Sequence, residues 1–366
     1  MIAIIVATPL QLFNSMVIMR HHFKGDKADL FALNIACDMH PSIRMYESLD
    51  CINNVYYIDD VAQNVNSKWS VFKEFAFTTK SQKEIIKKIN KEEYTDLFTT
   101  WVGISGDWVL SKLIKKNPEI KVHFYEEGLG VYMKNMYSLI SPKLKLLYRC
   151  LGYKSCQDFV IDNYVYQPSV IFEGNKKYKS IAIGDVTNDD LEYLHKDIKK
   201  IHFKPYNQKI IYFENNFENT EYEGIDETLI INHICNSLGK DQVVIRRHPR
   251  TNPKKYDGKG YIMDENLSVS WEDIIPLCNN LNELILITTL STAAFSPMLS
   301  YGKQPKVLIV AKAIMNEHKD CVWAKEFWTK EMESFVLCFK RNYKNPEYVQ
   351  IPETYDDMRT ILKKWR

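Results

Sequence analysis

Short apolar runs, each followed by a segment of helical spacing, recur along most of the chain, and this alternation limits its fold more than any other feature. Runs at residues 2–7, 28–34, 54–58, 97–100, 121–125 and 178–183 read as buried strands, with helical spacing over 10–22, 69–88 and 106–115. Strands that are apolar throughout and separated by helices pair in parallel, with helices on both faces. A proline and mixed polarity interrupt the pattern at 200–208, after which it restarts. Strands are then expected at 209–213, 243–246, 284–288 and 306–309, and helices at 225–238, 271–278, 291–300 and 354–364. The predicted class is α/β: two Rossmann-like doubly wound domains, residues 1–204 and 205–366, facing a central cleft. Ligands of such sheets lie beyond the carboxyl ends of the strands. The last helix has the option of packing back on the N-terminal domain.

Composition removes several other classes. A length of 366 residues suits two domains, and 45% hydrophobic residues can fill their cores. A net charge of +2 gives no bulk attraction for nucleic acid. The eight cysteines are scattered, without a CxxC pair, so neither a metal knuckle nor a disulfide framework is indicated. They read as buried thiols of a cytoplasmic protein. The opening MIAIIVATPLQ lacks a basic leader and a small-residue cleavage site, and reads as a first strand. No later stretch is long and apolar enough to span a bilayer. Residues 141–154 mix Lys and Arg with Leu and Tyr, as does a core-packed helix with a solvated basic face or one resting peripherally on an anionic membrane.

Four sites carry chemistry-bearing side chains. Strand 121–125 ends in Glu126-Glu127-Gly128, where a carboxylate can accept a proton or bind sugar hydroxyls, although an acidic surface turn has the same composition. Strand 243–246 runs into Arg246-Arg247-His248-Pro249-Arg250; cations around a rigidly held histidine suit a phosphate. Thr288-Thr289-Leu290-Ser291-Thr292 leads from a strand into a helix start that either binds an anion or is an ordinary hydroxyl cap. In Glu223-Gly224-Ile225-Asp226-Glu227 acids open a helix, as the helix dipole favours; Asp226 stands out for its place beside the His248 strand. There is no DxD, Walker A or GxGxxG motif, so a Mg²⁺-bridged donor and a P-loop are not supported, and no metal is expected.

The acidic pair with its glycine, His248-Pro249 and Ser291-Thr292 occur in the order found in several bacterial sialyltransferase families. With Thr8-Pro9-Leu10-Gln11 and the run Glu-Glu-Gly-Leu-Gly-Val-Tyr, the chain most resembles glycosyltransferase family 52, the lipooligosaccharide sialyltransferase group. The likeness touches both halves through short motifs only. It implies a GT-B-type fold and inverting, metal-independent transfer of sialic acid from CMP-sialic acid to a galactose-type hydroxyl of a lipooligosaccharide or capsule glycan. In that frame His248 stabilises the departing phosphate with Ser291 and Thr292, beside Pro249. Arg246 is assigned to cytidine or phosphate, and Glu272 to the ribose. Asp226 is the preferred base, with Glu126 as the other candidate, and Thr8, Gln11, Glu127 and Gly128 line the acceptor side. The resemblance also allows a homodimer and a place on the inner face of the cytoplasmic membrane. Two other readings share the architecture: a transferase or epimerase using a UDP-sugar, and a non-catalytic sugar-nucleotide-binding protein.

Overall fold

The computed structural model describes residues 1–35, 38–59, 80–100, 103–133, 142–171, 178–195, 203–217, 222, 224–267, 269–321, 324 and 327–365. The chain divides into two compact units, Met1–Lys196 and Asp197–Arg366.

The first unit is built on seven parallel strands: β1 (Ile2–Val6), β2 (Ala28–Asn34), β3 (Ile52–Asp59), β4 (Asp96–Thr99), β5 (Lys121–Tyr125), β6 (Val160–Val165) and β7 (Lys179–Ala182). Their order is β3-β2-β1-β4-β5-β6-β7. The second unit repeats the plan with β8 (Ile210–Phe213), β9 (Val243–Arg246), β10 (Ile262–Met263), β11 (Ile285–Thr288), β12 (Lys306–Ile309) and β13 (Val349–Gln350), in the order β10-β9-β8-β11-β12-β13. In both sheets the first strand lies between the second and the fourth. Connections therefore leave in opposite directions on either side of it, and a crevice opens at its carboxyl end.

Burial explains why these segments are strands. All residues of β1, β8, β9 and β11 are buried, as expected when helices cover both faces of a sheet. Ile5, Phe31, Leu97, Val109, Leu113, Val122 and Phe124 belong to one apolar cluster of the first unit, joining β1, β2, β4 and β5 to helix Gly103–Lys116. The candidate helix at 69–88 lies partly outside the described residues, and its described part is Lys80–Ile89. Strands β6, β10 and β13 and helices Ala311–Glu317 and Lys330–Arg341 were not anticipated from the apolar pattern. The expected helix 291–300 is instead a short 3₁₀ turn, Thr292–Ala294, followed by helix Ser296–Tyr301. Pro297 has no N–H to offer the carbonyl four residues back, so the ladder cannot run through. The closing helix Tyr355–Trp365 packs on Glu227–Leu238 of its own unit, where the Tyr355 and His233 rings stack 4.2 Å apart. In Pro142–Leu151, Tyr148 is buried while Lys145, Leu146 and Arg149 are exposed. Among the described residues no helix is long and apolar enough to cross a membrane.

One polar group is built into the first sheet. His123 of β5 is buried between Asp162 of β6, 2.6 Å from Nδ1, and Asp96 of β4, 3.0 Å from Nε2. Burial alone would lower the histidine's pKa, but hydrogen bonds to the two carboxylates raise it above its ordinary value near 6.5. The His123 hydrogen bond in turn holds Asp96 below the usual carboxylate range. The histidine's contribution is complete below its unfolded pKa and fades as pH rises through the raised folded value. The aspartate's is complete above its unfolded pKa and fades as pH falls through the lowered one. The triad therefore stabilises most at mildly acid pH. His123→Gln is expected to cost roughly 2 kcal/mol there. Urea titrations across pH should show the gap to the wild type narrowing towards alkaline pH; a constant gap would mean the imidazolium plays no part.

Candidate active-site residues at the two switch points

In the first unit the crevice lies between the ends of β1 and β4. Thr8 is extended and caps helix Pro9–His22, its hydroxyl accepting the Gln11 N–H at 3.2 Å, with Pro9 pre-set for the first helical position. Gln11 is buried: its carbonyl accepts the Ala7 N–H at 2.6 Å, and its amide donates to the Thr100 hydroxyl at 3.2 Å. It thus links the β1 exit to the β4 exit. One turn on, Asn14 donates to the Glu126 carbonyl at 2.9 Å and accepts from the Tyr166 hydroxyl at 3.0 Å.

Glu126 is only 3% exposed. Its Oε2 accepts from the Tyr132 hydroxyl and, at 2.9 Å, from the Tyr166 N–H. Burial, reinforced by the Glu126 charge, drives the Tyr132 phenol far above its ordinary pKa, so it remains a donor. The half-buried Glu127 follows, and Gly128 takes a φ of 131°, a region open to glycine, to turn the chain towards helix Gly130–Met133. The structure thus gathers Thr8, Gln11 and Glu126 at the carboxyl ends of β1 and β5, in structural hydrogen bonds. Such a setting suits Glu126 to holding the β5 exit rather than to taking up a proton.

In the second unit the crevice lies between the ends of β8 and β11, with the β9 exit alongside. Glu214, directly after β8, is buried; its Oε2 accepts the His248 N–H at 3.0 Å, and its Oε1 accepts from Lys255 at 2.7 Å and from the Tyr256 hydroxyl at 2.6 Å. Pro249 sits in the turn from His248 to Thr251, closed by the Thr251 N–H on the His248 carbonyl at 3.0 Å. That turn brings the Arg250 N–H to His248 Nδ1 at 3.1 Å. A nitrogen that accepts carries no proton, so the neutral ring bears its hydrogen on Nε2. Burial, followed by the Arg250 charge, lowers the His248 pKa below its ordinary value, against the pull of Glu214. The ring is therefore neutral at neutral pH, with Nε2–H available to a ligand.

The neighbouring arginines divide the work differently from the sequence assignment. Arg246 is buried and ion-paired with Asp264, donates to the Val269 carbonyl at 2.6 Å, and lies over the Trp271 ring. It braces the β9 exit, and its guanidinium is not free for a phosphate. Arg247 has a buried Nε without a hydrogen-bond partner among the described residues. The sequence places it among the cations around His248 without singling it out, because only the tertiary contact with Asp264 distinguishes the two arginines.

On the β11 side, Ser291 precedes the 3₁₀ turn, its N–H donating to the Thr288 hydroxyl at 2.6 Å. Asn215 Oδ1 accepts the Leu290 N–H at 3.2 Å, tying this loop to the β8 exit. Ser291 and Thr292 are half-buried. Glu272 lies within hydrogen-bond distance of the Ser296 hydroxyl at 3.0 Å, and the same hydroxyl is 3.2 Å from the Thr292 carbonyl, its one proton shared between the two acceptors. Glu272, Ser291 and Thr292 are thus brought into one neighbourhood, with burial raising the Glu272 carboxyl above its ordinary pKa. The short turn and the six-residue helix behind it give a weaker dipole than the continuous helix expected.

Asp226 is exposed and is the N-cap of helix Glu227–Leu238, Oδ1 accepting the Thr228 N–H at 2.9 Å. The next residue, Glu227, is the buried acid. Its Oε1 accepts from the Tyr212 hydroxyl at 2.8 Å and the Asn215 N–H at 2.9 Å. Glu214, Asn215 and Glu227 carry no motif; their importance follows from the strand order that brings them to the crevice. Among the described residues no group of three or more His, Cys, Asp or Glu is arranged to hold a metal ion.

No protein-family model matches the chain, and no curated protein matches it. Solved structures do. One described as the glycotransferase of kitacinnamycin aligns over 100% of this chain and 90% of its own, at 7% identity and a TM-score of 0.50. The UDP-GlcNAc 2-epimerase of Methanocaldococcus jannaschii, solved with UDP-GlcNAc and UDP, aligns over 100% and 92%, at 13% identity and a TM-score of 0.52. At these identities the likeness is one of fold. The chain has the GT-B architecture of two Rossmann-like α/β units.

Proposed function

We propose that this protein is a glycosyltransferase that binds a sugar nucleotide through the β8–β11 switch point and transfers the sugar to a hydroxyl acceptor. The observation that carries the reading is the Arg250 amide on His248 Nδ1, which leaves the neutral ring's Nε2–H for a ligand. As the glycosidic bond breaks, negative charge grows on the leaving phosphate, and a fixed donor stabilises it without having to reorganise. Arg247, with its unpartnered Nε, supplies a positive charge next in sequence, and the Ser291 hydroxyl a further donor. Protein donors in these places would do the work that a divalent metal does in other transferases. Asp226 is the base in this reading: one oxygen is engaged by the Thr228 N–H, and the exposed carboxylate still has the other for the acceptor's proton.

For the donor we favour CMP-sialic acid, on the motifs around Glu126-Glu127-Gly128, His248-Pro249 and Ser291-Thr292, with a cytoplasmic surface-glycan acceptor. A UDP-sugar is the second reading, favoured by the fold likeness to the M. jannaschii UDP-GlcNAc 2-epimerase.

With CMP-sialic acid and galactose-terminated acceptors, in EDTA, release of CMP is expected, and His248→Ala should lower kcat at least about a hundredfold. Turnover of UDP-sugars instead would select the second donor, and loss of all activity in EDTA would overturn the metal-free reading. Asp226→Ala should lower kcat by a comparable factor with little change in nucleotide affinity.

The two arginines give a separate check. Arg247→Met should raise the nucleotide Kd about tenfold or more at an unchanged melting temperature. Arg246→Met should lower the melting temperature by several degrees, since it leaves Asp264 buried without its cation. The reverse pattern would return the phosphate to Arg246.

A further inference from the structure

We propose that Glu227 is an alkaline switch on the phosphate site: as a neutral acid it holds the β11 exit loop in its binding form, and as a carboxylate it releases it. This deepens the function proposed above and rests on the β8–β11 switch point taking a nucleotide phosphate.

The geometry makes Glu227 the inner end of a chain of hydrogen bonds that finishes at the loop. Its Oε1 accepts the Asn215 N–H, Asn215 Oδ1 accepts the Leu290 N–H and, at 3.5 Å, the Thr288 hydroxyl, and that hydroxyl oxygen accepts the Ser291 N–H. The Thr289 hydroxyl also approaches Glu227 Oε1, at 3.5 Å. Glu227 is 2% exposed, and its Oε2 is buried with no hydrogen-bond partner among the described residues. A neutral acid tolerates that burial far better than an anion, whose charge would rest partly on an oxygen to which no described residue donates.

The surroundings relieve that charge only in part. Tyr212 and Glu214 face Glu227 from β8 and its exit, Thr289 from the β11 exit, and Tyr256 and Lys255 from the segment after His248; Asp226 adjoins it on its own helix. The single cation among them, Lys255, is paired with Glu214 at 2.7 Å. Burial, aided by the Glu214 charge, pushes the Glu227 carboxyl up to about 8, against the Asn215 and Tyr212 hydrogen bonds. On ionising, the side chain must find water or a donor elsewhere. Leaving its place frees Asn215 and, through it, the loop at Leu290–Ser291.

The test measures binding of CMP and UDP by calorimetry at several pH values, for the wild type and Glu227→Gln. The amide keeps the accepting oxygen and the neutral form at every pH. Wild-type affinity should weaken about tenfold between about pH 7 and 9, as the neutral fraction falls, while the affinity of Glu227→Gln stays flat over the same range. Amide exchange of Leu290 and Ser291 in the ligand-free wild type should accelerate over the same range beyond the ordinary base catalysis of exchange. That readout stands even if the variant fails to fold. A wild type that binds equally well throughout, an alkaline loss that persists in Glu227→Gln, or unaccelerated exchange each overturns the switch. Absence of nucleotide binding by the wild type at about pH 7 overturns the phosphate reading itself, and the switch with it.

Discussion

Parallel pairing with the first strand placed inside the sheet is the constraint from which the rest follows. In each unit the strands on either side of the first are reached by connections that run in opposite directions, and a crevice opens at that strand's carboxyl end. Backbone groups there lose their ladder partners and must be satisfied by side chains. In the first unit Gln11 does this, bonding Ala7 and Thr100; in the second Glu214, Asn215 and Glu227 bond His248, Leu290 and one another's neighbours. The buried polar residues that hold the crevices open are therefore as much a product of topology as the apolar cores beneath them.

The sequence made the strand framework readable because fully buried parallel strands are nearly continuous apolar runs. Segments 28–34, 121–125, 243–246 and 306–309 have the same bounds in the structure. Strand β6 escaped because Asp162 and Asn163 interrupt it, and Asp162 is acceptable only because His123 of the next strand receives it. The two-residue strands β10 and β13 are too short to leave a periodic signal. At the site, residues whose local sequence carries the signal, such as His248-Pro249 and Thr8-Pro9, were visible. Residues that matter through distant partners were not. Nothing local says that Arg246 meets Asp264 while Arg247 does not, or that Glu227 is buried while Asp226 lies in solvent.

Two carboxylic acids adjacent in sequence thus have different chemistry for one reason, the direction each leaves the first turn of the helix. Asp226 faces water and caps; Glu227 turns inward to Tyr212 and Asn215. The same contrast separates Glu126, enclosed by Tyr132 and Tyr166, from Glu127 beside it. In each pair the enclosed acid organises the strand exit, and in the second pair the outer one, Asp226, is exposed.

The amide on His248 Nδ1 belongs to the main chain at position 250. The tautomer of the ring is thereby written in the backbone, and the arginine side chain at that position is incidental to it. Any residue able to follow Pro249 through the turn would preserve the proton on Nε2, with one exception: a second proline, which has no N–H to give. The arginine's charge, by contrast, helps to hold the ring neutral, so a substitution at 250 can raise the histidine's pKa while leaving its proton on Nε2, and one residue sets tautomer and pKa through separate groups.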